Sequence, residues 1–168
     1  GEMLAYATLV TPAAAKAVAL TVTGKQLGEQ VDALRDTIST VENGKRITYA
    51  FDVGLSHQLY TELFGPFDAD LAAVKHLIFE PDGAMLRLPP NLLVMDQASV
   101  DAYNRRKTAS EDAEFDFRGI RWFGRDRDIS TSVSARSFAQ LRHAPPSAAR
   151  RDYLGLGENT PPAASAAM

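Results

Sequence analysis

Two early stretches of the chain alternate in side-chain character, and a period of two marks a strand with one buried face. Tyr6 to Val10 is the first. In the second, Lys16 to Thr23, Val18, Leu20 and Val22 share one face while Ala17, Ala19 and Thr21 share the other. The link Thr11-Pro12-Ala13-Ala14-Ala15 is short, which predicts an antiparallel hairpin. From about Gly28 the period lengthens. Val31, Leu34 and Ile38 recur at helical spacing, with Glu29, Asp32, Arg35 and Asp36 outside the stripe, so a helix ending near Ser39-Thr40 is expected. Asn43-Gly44 marks a turn, and Lys45 to Ala50 has a weak extended character. Leu55, Leu59 and Leu63 predict a second helix over Leu55–Phe64, stopped by Gly65-Pro66. Asp68 to Ala73 leaves room for one helical turn.

The stretch from Val74 to Asn91 is the organising segment. Leu77-Ile78-Phe79 is a continuous apolar run, too short for a free-standing helix and suited to a strand buried on both faces. Pro81-Asp82-Gly83 breaks it with a tight reversal. Leu86 and Leu88 alternate around Arg87 as a brief extended leg, which Pro89-Pro90 ends. Leu92 to Met95 are expected to be buried. Asp96 to Arg118 carries Arg105-Arg106-Lys107 and then Glu111, Asp112 and Glu114, the composition of a variable surface loop. Order returns at Gly119–Phe123. A strand is expected over Ile129–Val133 and a short helix over Ser137–Arg142, with Phe138 and Leu141 as its packing residues. Tyr153–Gly157 reads as a further strand, and residues 158–168 as a mobile Pro- and Ala-rich tail. The order of elements is that of an α/β domain, with no internal repeat.

Bulk properties narrow the functional classes. A chain of 168 residues holds one domain with a real core. Its net charge of −3 and pI near 5.6 argue against general affinity for nucleic acid or an anionic membrane. The absence of cysteine removes disulfides, thiolate metal sites and a cysteine nucleophile from these residues. No apolar run approaches the roughly 20 residues of a membrane span. Gly1-Glu2-Met3 has no basic n-region, and an initial Gly is expected of a processed or excised segment.

Candidate chemistry is sparse. His57, His76 and His143 have no second histidine or carboxylate at metal spacing, so ordinary structural histidines are expected and no metal or other cofactor. A Ser/His/Asp set assembles in space and is not excluded by spacing, but no Gly-x-Ser-x-Gly elbow is present. Ser130, Ser132, Ser134 and Ser137 read instead as a solvent-facing strand edge. Glu80 and Asp82 flank Pro81 at a strand end, where a turn-forming role for Asp82 is favoured over catalysis. Gly155-Leu156-Gly157 lacks the third glycine of a dinucleotide loop. Arg118, Arg121, Arg125 and Arg127 surround Trp122 and Phe123, but Asp116, Asp126 and Asp128 interleave with them, as in a solvated mixed-charge loop.

The run His76-Leu77-Ile78-Phe79-Glu80-Pro81-Asp82-Gly83, followed by Leu88-Pro89, resembles the central signature of CHAT domains, caspase-like relatives of clan CD peptidases. Gly1-Glu2-Met3-Leu4, the hairpin, Ala33-Leu34-Arg35, Leu59–Leu63 with Gly65-Pro66, Ile129–Phe138 and Tyr153–Gly157 are similar to the family's pieces in the same order. The resemblance implies a mainly parallel central sheet with flanking helices and an N-terminal hairpin, residues 1–157 forming the N-terminal portion of an incomplete domain. Catalytic members carry a His-Gly and then a Cys on later strands, beyond Gly157, so no catalytic residue is carried over. The resemblance further implies a bacterial-type, cytoplasmic protein, part of a cysteine endopeptidase or a signalling relative and inactive in this portion. A non-catalytic module that binds a protein or peptide, or itself through an open sheet edge, is the alternative. A hydrolase using one of the serines is a remote third. Helical repeats are expected outside these residues, and neither nucleic acid nor membrane as partner.

Overall fold

The computed structural model describes residues 4–38, 40–146, 148 and 150. Strand β1 (Leu4–Val10) pairs antiparallel with β2 (Ala15–Thr23), as the alternation predicts. Thr11 closes the turn: its N–H donates to the Ala14 carbonyl at 2.8 Å, and its hydroxyl accepts from the Ala13 and Ala14 N–H groups. Leu20 and Val22 are buried, with Ala5, Ala7 and Leu9 packed beside them, whereas Leu4, Tyr6 and Val10 face outward.

Helix α1 (Gly24–Ile38) starts directly after β2. Thr23 and Gln26 set that boundary, because the Thr23 hydroxyl accepts from Gln26 N–H while Gln26 Oε1 accepts from Thr23 N–H. Leu27, Val31 and Leu34 form the buried stripe. Strands β3 (Thr40–Glu42) and β4 (Lys45–Ile47) make a small hairpin. Its two turn residues, Asn43 and Gly44, take φ of 51° and 75°, the twist that suits a two-residue hairpin loop.

Asp52 caps helix α2 (Val53–Leu63) by accepting from the Leu55 N–H at 2.9 Å. A 3₁₀ turn at Gly65–Phe67 and the short helix α3 (Asp68–Leu71) then carry the chain to β5 (His76–Phe79). β5 pairs in parallel with β6 (Asp128–Thr131), His76 opposite Asp128 and Phe79 opposite Thr131. Leu77 and Phe79 pack on the core, but His76 and Ile78 point away and Ile78 is 45% exposed. The expectation of a strand buried on both faces is therefore corrected: the described residues cover one face of this pair only.

Two further expectations change. The extended leg at Leu86–Leu88 is a 3₁₀ turn over Gly83–Arg87, because Gly83 takes φ of 53° and Met85 N–H bonds back to the Asp82 carbonyl. The region expected as a loop holds helix α4 (Gln97–Ala109), capped by Asp96. It buries Ser99, Val100 and Tyr103, a stripe too narrow and too polar to register as periodicity. Helix α5 (Ala135–His143) forms where expected but buries no residue, and Leu141 is 76% exposed. Phe138 is covered by its own neighbour Arg142, 5.0 Å from the ring centre, rather than packed into the core.

The principal core joins the hairpin, α1 and α2 to Leu88, Leu93 and Phe123. A second cluster gathers Val53, Val94, Val100, Tyr103 and Ile120. Among the described residues the architecture is α/β, with five α-helices and three two-stranded sheets, of which β5–β6 is parallel. The expected strand at Tyr153–Gly157 and the tail at 158–168 lie outside the described residues.

Candidate functional site

Ligands of α/β sheets gather at the carboxyl ends of parallel strands, so the ends of β5 and β6 are the first place to look. Ser132 N–H continues the ladder by donating to the Phe79 carbonyl at 2.9 Å. Ser132 Oγ donates to the Ser134 carbonyl and accepts from its N–H. Ser134 in turn caps α5 by accepting from Ser137 N–H at 3.3 Å. Glu80, leaving β5, reaches across to accept from Ala135 N–H at 2.7 Å. A carboxylate on the first amides of a helix is a favourable electrostatic arrangement. These groups fix the path from β6 into α5. Asp82 is engaged in its turn, accepting from Gly83 N–H at 2.7 Å.

The outward face of the same pair brings two sequence candidates together. His76 Nε2 lies 3.0 Å from Ser130 Oγ, and Asp128 stands opposite His76 in the register. A serine activated by histidine also needs the ring held by a third group and donors for an oxyanion. No carboxylate of the described residues bonds to His76, and the pair sits on an open sheet face.

His57 and its neighbour Ser56 do structural work on α2. His57 Nδ1 lies 2.9 Å from the Val94 carbonyl. Ser56, fully buried, donates to the Leu92 carbonyl at 2.8 Å and accepts from Val94 N–H at 3.1 Å. Together they hold the Leu92–Val94 segment, which pairs with Trp122 and receives the Phe123 N–H on the Leu93 carbonyl at 2.7 Å. The sequence places Ser56 in the first turn of the helix, and its spacing, three residues after Val53 and three before Leu59, is the one signal that it lies on the apolar side. His143 is exposed in the last turn of α5, where a basic group complements the helix dipole. No group of three potential metal ligands occurs among the described residues.

The arginine and aromatic cluster resolves into separate pairs. The Arg118 guanidinium and backbone N–H hold the Asp116 carboxyl well below the usual carboxylate range, with Arg106 assisting. Burial pushes the Asp96 carboxyl up, but Ser99 and the Arg121 guanidinium outweigh it and leave it lowered. Arg127 departs from the expected solvated loop: it lies 4.5 Å over the buried Phe123 ring and donates to the Leu71 carbonyl at 3.1 Å. Phe123 and Trp122 thus belong to packing rather than to a base-stacking surface. The Gly155-Leu156-Gly157 motif lies outside the described residues.

A family model described as CHAT domain matches residues 53–168, from the start of α2 onward. No curated protein and no solved structure matches the chain.

Proposed function

The chain belongs to the CHAT domain family, and on that premise we propose that it is the N-terminal portion of a caspase-like cysteine peptidase module. The observation that carries this reading is the family match over a segment that contains the parallel β5–β6 pair and its Glu80-capped helix. The part described supplies scaffold rather than reacting groups. A peptidase of this class needs a thiolate and a base beside it, and the 168 residues contain no cysteine. The His-Gly and Cys of catalytic relatives would come from outside these residues, and this portion alone would not cleave peptides. A thiol nucleophile suits a reducing compartment, which supports a cytoplasmic location. Among the described residues no helix is long and apolar enough to cross a membrane.

The test compares residues 1–168 with the whole natural reading frame that contains them, on a pool of fluorogenic peptides. Cleavage by the longer protein alone, abolished when its cysteine is replaced by alanine, is expected. Cleavage by the cysteine-free chain, or a full frame with no His-Gly and Cys, would overturn the reading.

A second reading, a non-catalytic module that binds a protein, is favoured by the outer face of the hairpin. Tyr6 and Val10 are 74% and 73% exposed there, beside Leu4 at 48%. Sedimentation of the natural protein with and without Tyr6→Ser separates self-association from a monomeric state.

A further inference from the structure

Helices α1 and α2, with Val22 of β2, border an open cleft of about 430 Å³. Val22, Ala33 and Leu55 give it apolar walls, and Gln30, Gln58 and Glu62 give it polar groups. No described lysine or arginine lines it, while Glu29 adds a second carboxylate. Lys25 Nζ lies 3.9 Å from the Glu29 carboxylate along the helix.

The hydrogen bonding in the cleft is one-sided. Gln30 Nε2 donates to Glu62 Oε1 at 3.2 Å, and Gln58 Nε2 donates to the same oxygen at 3.0 Å. These bonds fix the amide of Gln30, since turning it over would set oxygen against carboxylate. Gln30 Oε1 and Glu62 Oε2 are then left sealed from solvent without a hydrogen-bond partner. Two unpaired acceptors, one of them on a carboxylate, make a site that favours a donor carrying positive charge.

We infer that this cleft receives the guanidinium or ammonium group of an arginine or lysine side chain presented by a protein partner. Such a head is all donor and matches oxygens that can only accept. Its aliphatic stem fits against Val22, Ala33 and Leu55. A bare divalent ion is poorly served, because one carboxylate oxygen and one amide oxygen fall far short of a hard-cation shell. Gln26, Glu29 and Gln58 are exposed at the mouth of the cleft, and the entering head takes over from Gln58 as the donor to Glu62. The inference does not depend on the peptidase reading, since it uses only the surface of α1, α2 and β2.

The experiment is a titration of the 168-residue chain with the blocked peptides acetyl-Ala-Arg-Ala-amide and acetyl-Ala-Lys-Ala-amide, followed through the side-chain amide NMR signals of Gln30 and Gln58. The same peptide with citrulline, a neutral isostere of arginine, is the control. Saturable shifts with both basic peptides are expected, with citrulline about ten-fold weaker or more. Glu62→Gln should weaken binding by a similar factor. Ala33→Leu fills the cleft from an exposed helical position, and should weaken binding with the folded spectrum retained. No saturable shift, equal binding of citrulline, or unchanged affinity in both variants overturns the proposal.

Discussion

The Ser56 hydroxyl holds Val94 in place, accepting from its N–H at 3.1 Å while donating to the Leu92 carbonyl at 2.8 Å. This one oxygen fastens α2 to the segment that joins the two core clusters. Ser56→Ala leaves a buried N–H and a carbonyl without that partner, which costs about 2–3 kcal/mol. Urea unfolding checks it: the midpoint should fall with the slope unchanged.

Tyr60 is buried and donates its hydroxyl to Asp68. Burial, then the hydrogen bond to that carboxylate, push the phenol far above its ordinary range. Tyr60→Phe should cost about 1–2 kcal/mol at neutral pH. A raised folded value means the contribution is complete below the unfolded value of about 10 and is lost as pH rises beyond it. The stability gap between wild type and Tyr60→Phe should therefore be flat up to about pH 10 and narrow above it.

Two glycines should respond with opposite sign. A Cβ at Gly124 would lie 2.8 Å from Asn91 Cβ and 2.9 Å from its Cα, where Gly124 N–H bonds the Asn91 carbonyl. Gly124→Ala should destabilise by about 1–3 kcal/mol. A Cβ at Gly28, inside α1, meets only Ala84 Cβ at 3.4 Å. Gly28→Ala should stabilise by about 0.5–1 kcal/mol through helix propensity. Thermal unfolding of the two variants side by side decides the matter.

Asp116 carries the acid sensitivity of the loop that packs against α4. Its carboxyl is lowered chiefly by the Arg118 side chain. A depressed folded value stabilises above the unfolded value of about 4 and is lost as pH falls through the folded one. Wild type and Asp116→Asn should differ in stability at neutral pH and converge in strong acid. Because Arg118 is 90% exposed, added salt should shrink the difference as well.

The elements that the sequence makes plain are those with an uninterrupted period or a local punctuation mark. The β1–β2 alternation, the Val31 and Leu34 stripe, Asn43-Gly44 and the Asp128–Thr131 strand all belong to that class. Helix α4 escapes because only Ser99, Val100 and Tyr103 are buried, and the rest of it is polar, charged or alanine. Its start is marked by the Asp96 cap, a signal of one residue that a polar context hides. Gly83–Arg87 is ambiguous in the sequence because two leucines around an arginine suit a strand as well as a turn, and the Asp82–Gly83 geometry decides between them. Chemistry across space is illegible by construction: nothing in the spacing of Gln30, Gln58 and Glu62 announces a shared carboxylate oxygen, nor that Arg127 leans on Phe123. The family signature is legible because it lies in β5 and its turn, where residue order rather than periodicity is diagnostic.

The bond from Glu80 to the first turn of α5 joins groups 55 residues apart. Closing so long a stretch costs chain entropy before any contact returns it, whereas the two hairpins and α1 close over short distances. During refolding the hairpins and the α1–α2 core should assemble early and the parallel pair late. The amino end of α5 has its own cap in Ser134, but its Ala135 N–H waits for a carboxylate from the far side of that closure and so becomes a clock for the last step of folding.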